Sequence, residues 1–224
     1  MIKYVLIDLD GTLLDFNKGE AKAFRDTIKE VANYDVTNDE IKLFSKINEE
    51  CFQEFGKSNI TRIEFHHLRF KRILEALNIK ADINKTNELY VNNLRYNAEV
   101  YDDAKECVKY LYGKYELFVA SNGIGSVQAK RMELSGFKNY FKKFYISEDI
   151  GSNKPNVNFF EYIFKDLNDY DKSHYLIIGD RLDTDILGGI NAGIKTVYIE
   201  RIDSNSEIIP DYKINDLREI KNIL

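Results

Sequence analysis

Four short and almost wholly apolar runs punctuate the chain: Tyr4-Val5-Leu6-Ile7, Leu117-Phe118-Val119-Ala120, Tyr175-Leu176-Ile177-Ile178 and Thr196-Val197-Tyr198-Ile199. Runs of this length, rich in β-branched residues, read as strands buried on both faces, as in a parallel sheet. A weaker run, Phe144-Tyr145-Ile146-Ser147, extends the series. Between the later runs the apolar positions recur with helical period, near 102–113, 124–135, 156–168 and 183–192. Strands alternating with helices predict an α/β fold with a doubly wound, Rossmann-like parallel sheet.

The first strand breaks that alternation. Residues 16–97 carry no strand pattern and predict helices near 17–33, 38–55, 61–77 and 84–96. Thr37 ahead of Asp39-Glu40, and Asn59 or Thr61 ahead of Glu64, are start signals of the capping-box kind. The expected organisation is an α/β core formed by residues 1–15 and 98–224, with an all-helical cap, 16–97, inserted through short hinges near 14–17 and 97–102.

A length of 224 residues with 44% hydrophobic content suits one core domain plus a modest insertion. No apolar run approaches the roughly 20 residues of a membrane span, so no membrane partner is expected. The opening run stops at Asp8 without a small-residue cleavage site, which argues against an export signal. Cys51 and Cys107 lie far apart with no C-x-x-C spacing, which speaks against a disulfide framework or thiolate metal site and for a cytoplasmic location. A net charge of −5 leaves no surplus of cations for polymeric nucleic acid.

Candidate chemistry gathers where strands end. Asp8-Leu9-Asp10-Gly11-Thr12 follows the first strand, Ser121-Asn122 the second, and Gly179-Asp180 the one ending at Ile178. A doubly wound sheet opens its ligand crevice at such ends. Continuing the two-residue strand period puts Asp8 and Asp10 on one side, where two carboxylates repel unless a cation or a shared proton intervenes; a divalent metal is the simplest solution. Gly11 permits a positive-φ turn, and the Thr12 hydroxyl can bond backbone or phosphate oxygens. Taken singly, each motif has an ordinary explanation: a strand-ending turn for Asp8 to Gly11, a solvated loop charge for Lys154. Pro155 supports a fixed Lys154, because it can close an extended segment and open a helix at Asn156.

In this order, and with an insertion after the first strand, these pieces resemble the haloacid dehalogenase-like hydrolase superfamily of the helical-cap type, matching Asp8-Leu9-Asp10-Gly11-Thr12, Ser121-Asn122, Lys154-Pro155 and Gly179-Asp180 with Asp185. The resemblance implies a phosphatase with Asp8 as nucleophile and Asp10 as acid and base. Ser121 and Lys154 join them in catalysis; Gly11, Thr12, Ser121, Asn122 and Lys154 hold phosphate with Asp8. Asp8, Asp10, Asp180 and Asp185 are implied as the Mg2+ site, Asp185 by way of Lys154 or a metal-bound water. Arg181 stands where the superfamily often has a smaller polar residue, and Asp183 is read as an ordinary helix-starting carboxylate.

Ser121-Asn122-Gly123-Ile124 with Gln128, Arg131 and Ser135-Gly136-Phe137, Ser147-Glu148-Asp149-Ile150-Gly151, and Leu14-Asp15-Phe16 resemble the branch of housekeeping nucleoside 5'-monophosphate phosphatases. That implies a small phosphorylated metabolite as partner, a pyrimidine or modified nucleoside monophosphate first. A sugar-phosphate or phosphoglycolate phosphatase would keep the same catalytic residues. A haloacid dehalogenase or a phospho-aspartate switch fits less well, given Asp10 and, for the switch, the insertion. Phe52, Phe55, Phe65, Phe70 and Tyr90 fall at helical spacing and read as core rather than as base-stacking groups. Arg62 and Arg69 share a helix face that reads as solvated, and His66 and His67 as packing or surface residues.

Overall fold

The computed structural model describes residues 1–57, 59–201 and 206–224. In chain order its elements are β1 Tyr4–Ile7, α1 Phe16–Ala32, α2 Asn38–Gly56, α3 Arg62–Ala76, α4 Ile83–Arg95, α5 Ala104–Leu111, β2 Glu116–Ser121, α6 Gly125–Leu134, β3 Lys143–Ile146, α7 Ser147–Ile150, α8 Val157–Leu167, β4 Tyr175–Gly179, α9 Leu187–Ala192, β5 Lys195–Ile199 and β6 Tyr212–Ile214. A π-type turn over Leu182–Ile186 precedes α9. Two compact units result, Met1–Asp15 with Ala98–Leu224, and Phe16–Asn97. No helix among the described residues is long and apolar enough to cross a membrane.

The first unit is built on a parallel sheet in the order β3-β2-β1-β4-β5-β6. Neighbouring residues of β1 serve opposite faces. Val5 and Ile7 join a cluster with Cys107, Val108 and Leu111 of α5 and with Leu217 and Ile220, whereas Leu6 joins Phe159, Phe160, Ile163 and Phe164 of α8. Each such side chain, fully buried, contributes roughly 1.5–3 kcal/mol relative to exposure. Both faces are therefore covered, which is why the strands read as unbroken apolar runs. The chain steps from β1 to β2 and β3 on one side and to β4, β5 and β6 on the other, so the switch in winding falls at β1. Strand β6 is absent from the sequence expectation because Tyr212 and Lys213 are exposed and only Ile214 is buried, leaving no apolar run to see.

The second unit is helical throughout. Thr37 and Thr61 each form the expected capping box, with Glu40 and Glu64 returning bonds to the cap backbone. Phe44 is the hub of the interior, stacked on Phe24 at 4.1 Å and meeting Phe70 at 5.6 Å and Tyr90 at 5.4 Å. Phe55, Phe65, Phe70 and Tyr90 are all buried, as core residues should be. Arg69 corrects the expectation of a solvated face. It is 5% exposed, donates to Asn48 Oδ1 at 3.2 Å and Asn87 Oδ1 at 2.8 Å, and lies over the Tyr90 ring at 4.6 Å. Asn48 passes its other end to buried Glu20, which also accepts from Ser45, so two opposite charges inside the unit are linked through one amide. A buried charge requires such partners, and a helical period cannot reveal them.

Candidate active site

Register sets the strand ends level. Ile7 pairs with Val119 of β2 on one side and Ile178 of β4 on the other. Asp8 thus emerges between Ala120-Ser121 and Gly179-Asp180 at the switch point.

Lys154 stands at the centre and is 1% exposed. Its Nζ donates to Asp8 Oδ1 at 2.8 Å, to Asp185 Oδ1 at 2.6 Å and to the Ala120 carbonyl. Its backbone is held from both sides by one amide: Lys154 N–H donates to Asn122 Oδ1, and Asn122 Nδ2 donates to the Lys154 carbonyl, both at 2.9 Å. The Asn122 side chain is thus engaged in fixing Lys154, and the phosphate contact expected at Asn122 is one for its backbone. Asn156 caps α8 directly behind, accepting from Asn158 N–H. Burial alone would lower the pKa of the ammonium, but the Asp185 and Asp8 carboxylates outweigh that and hold it above the ordinary lysine value.

Asp8, Asp180 and Asp185 each bring a carboxylate oxygen within 4.8 Å of the others. Three carboxylates face one ammonium, so the group carries uncompensated negative charge. Burial pushes the Asp8 carboxyl well above the usual range; Lys154 opposes this, while Asp185, Asp180 and Asp10 add to it. Burial, then the charge of Asp185, pushes Asp180 up to about 7. Excess negative charge and an all-oxygen donor set fit a hard divalent cation such as Mg2+.

Two glycines make the space. At Gly11, with φ +84°, a Cβ would stand 2.1 Å from Asp180 Oδ2, and at Gly179 one would stand 2.3 Å from Asp185 Oδ2. The Thr12 hydroxyl donates to Asp180 Oδ1 at 2.9 Å. Asp185 Oδ2 accepts from Arg181 N–H at 3.1 Å, while the Arg181 guanidinium grips Asp183 through Nε and Nη2.

Asp10, expected among the metal ligands, stands outside the three-carboxylate group. The strand period that would align it with Asp8 ends at Ile7, and the chain turns so that Asp10 bridges to Leu14. One of its oxygens pairs with Arg131 Nη1 and the other accepts from Gln128 Nε2 at 2.6 Å. Ser121 Oγ accepts from Gly123 N–H and from the same Gln128 Nε2, each at 3.1 Å.

Residues 5–199 match the model of the haloacid dehalogenase-like hydrolase family, a span that holds every residue of this cluster. The chain belongs to that family. The HAD-hydrolase YfnB of Bacillus subtilis is 34% identical over 98% of this chain and 94% of that protein. The pyrimidine 5'-nucleotidase PynA of Streptococcus pneumoniae is 30% identical over 99% of this chain and 97% of that protein. The solved structure of YfnB bound to magnesium matches with a TM-score of 0.93 at 33% identity, covering 100% of this chain and 98% of that one.

Around the cluster the hydrolase also places residues that sequence patterns did not single out. Arg201 donates to the Thr12 carbonyl at 2.9 Å and to both oxygens of buried Asp103, at 2.8 and 3.0 Å, over the Tyr101 ring. This fork ties the turn after β1 to the start of α5. Its only sequence signal was its place just beyond a buried strand, β5. Gln128 and Arg131 entered the sequence reading only as members of a longer string, with no role attached.

Proposed function

We propose that this hydrolase is a phosphomonoesterase that carries the phosphoryl group transiently on Asp8. The buried Lys154 ammonium, shared between Asp8 and Asp185 beside Asp180, carries this reading, because it fixes a carboxylate next to charge that a dianionic ester requires. Lys154 holds Asp8 Oδ1, which leaves Oδ2 to attack phosphorus in line. The ester P–O bond breaks as the Asp8–phosphorus bond forms, and Asp10 delivers a proton to the departing alkoxide. Asp10 then takes a proton from the water that attacks the acyl phosphate, returning Asp8 and inorganic phosphate.

Ser121 holds a phosphoryl oxygen through this sequence, Lys154, with its three protons on Asp8, Asp185 and the Ala120 carbonyl, places positive charge beside the nucleophile, and Arg201 keeps the turn at Thr12 in place. Asp8 and Asp180, backed by Asp185, are the residues that would hold Mg2+; when bound it supplies positive charge between nucleophile and phosphoryl oxygens.

We assign nucleoside 5'-monophosphates, pyrimidine ones first, as the substrate class, supported by the similarity to PynA and by the Ser121-Asn122-Gly123 string. Cys51 and Cys107, both buried and free, fit a reducing location such as the cytoplasm. The test is phosphate release by purified protein from a panel of monoesters, with and without Mg2+. Turnover should require the metal and favour nucleoside monophosphates; preference for sugar phosphates would reassign the substrate, and metal-independent turnover would remove the cation from the scheme.

A further inference from the structure

Between Asp10 and Ser121 lies a buried side-chain constellation of Gln128 and Arg131. Gln128 and Arg131 are each 1% exposed and sit one helical turn apart on α6. Arg131 Nη1 donates both to Asp10 Oδ1 and, at 3.2 Å, to Gln128 Oε1. A guanidinium can only donate, so it requires the oxygen of the Gln128 amide on its own side. The amide nitrogen is thereby turned the other way, where it reaches Asp10 Oδ2 at 2.6 Å and Ser121 Oγ at 3.1 Å.

The consequence for Ser121 follows from counting. A hydroxyl has one proton and two acceptor sites. The N–H groups of Gly123 and Gln128 occupy both acceptor sites, so the proton is the group Ser121 has left to offer. Gly123 belongs to the same device, because a Cβ there would stand 2.3 Å from Gln128 Nε2. One amide therefore fixes a carboxylate and aims a hydroxyl, and one buried guanidinium fixes the amide.

We propose that Gln128 and Arg131 are positioning residues: together they hold the Asp10 carboxylate where it serves the leaving group and turn the Ser121 hydroxyl into a phosphoryl donor. This rests on the assignment of Asp8 as nucleophile and Asp10 as acid and base. Neither residue is assigned a proton or a phosphoryl oxygen of its own; both act through Asp10 and Ser121.

The test compares kcat/KM for a nucleoside monophosphate, whose alkoxide needs a proton, with that for p-nitrophenyl phosphate, whose phenolate departs without one. This ratio ends at phosphoenzyme formation, so dephosphorylation does not enter it. Arg131→Met should lower the value for the nucleotide by about 100-fold, the scale of a misplaced general acid, and that for the aryl ester by less than about 10-fold. Arg131→Lys should recover part of the nucleotide rate. Gln128→Leu should show the same selectivity and also weaken inhibition by inorganic phosphate. It removes no charge, so it carries the test if Arg131→Met does not fold. Equal losses on both esters, or none, in folded variants would overturn the proposal. Asp8→Asn and Asp10→Asn run alongside separate it from its basis: turnover by Asp8→Asn removes the nucleophile assignment, whereas an inactive Asp8→Asn and a leaving-group-selective Asp10→Asn leave that assignment standing whatever Arg131 and Gln128 do.

Discussion

Lys154 shows how a single residue can hold a fold and a reaction at once. Its ammonium is enclosed with two carboxylates, and removing it leaves both facing each other without a counter-charge. Lys154→Met should therefore cost about 3–5 kcal/mol of stability, as breaking a buried ion pair does, and abolish turnover; chemical denaturation and a phosphate-release assay check the two effects separately. Gly11 is constrained by shape instead of charge. Its φ of +84° and the closeness of the Asp180 carboxylate exclude a side chain. Gly11→Ala should displace Asp180 and raise the Mg2+ concentration needed for half-maximal activity at least several-fold, which a metal titration of initial rates reads directly.

At the scale of elements, the strand ends were legible because each polar group follows immediately on a doubly buried run: Asp8 after β1, Ser121 closing β2, Asp180 after β4. The partners of those groups were less legible. Asp10 meets Arg131 across 121 positions and Thr12 meets Arg201 across 189, and nothing in local periodicity signals either pairing. The burial of Arg69 is hidden for a related reason, since an arginine at helical spacing looks solvated until Asn48 and Asn87 are known to receive it. Helix α3 offers a test of such burial. Burial, then the charges of Arg69 and Arg62, lowers His66 to about 3, against an ordinary value of 6.5. Below pH 6.5 the unfolded chain takes up a proton that the folded helix refuses, so stability falls as pH falls towards 3. Between about pH 6.5 and 5.5 this contributes a loss of about 1 kcal/mol, and His66→Gln should remove that slope from unfolding curves.

For the whole molecule, the α/β unit carries its chemistry as an imbalance of charge that a cation would relieve. Asp180, raised to about 7 from an ordinary 3.8, keeps a proton when folded that it loses when unfolded. Stability in the metal-free protein is therefore lost as pH rises through 7, and added Mg2+ competes with that proton. Thermal unfolding should show Mg2+ stabilising the protein more near pH 8 than near pH 6, by about 1 kcal/mol, and Asp180→Asn should remove the difference. The central claim is the phosphoryl group on Asp8, and Asp10→Asn isolates it, because p-nitrophenyl phosphate needs no acid to depart while the acyl phosphate still needs a base to hydrolyse. Rapid mixing of this variant with p-nitrophenyl phosphate and Mg2+ should release one equivalent of nitrophenolate in a burst, leaving the phosphoryl group on the peptide that contains residue 8. Steady release without a burst, and no phosphate on that peptide, would contradict the account.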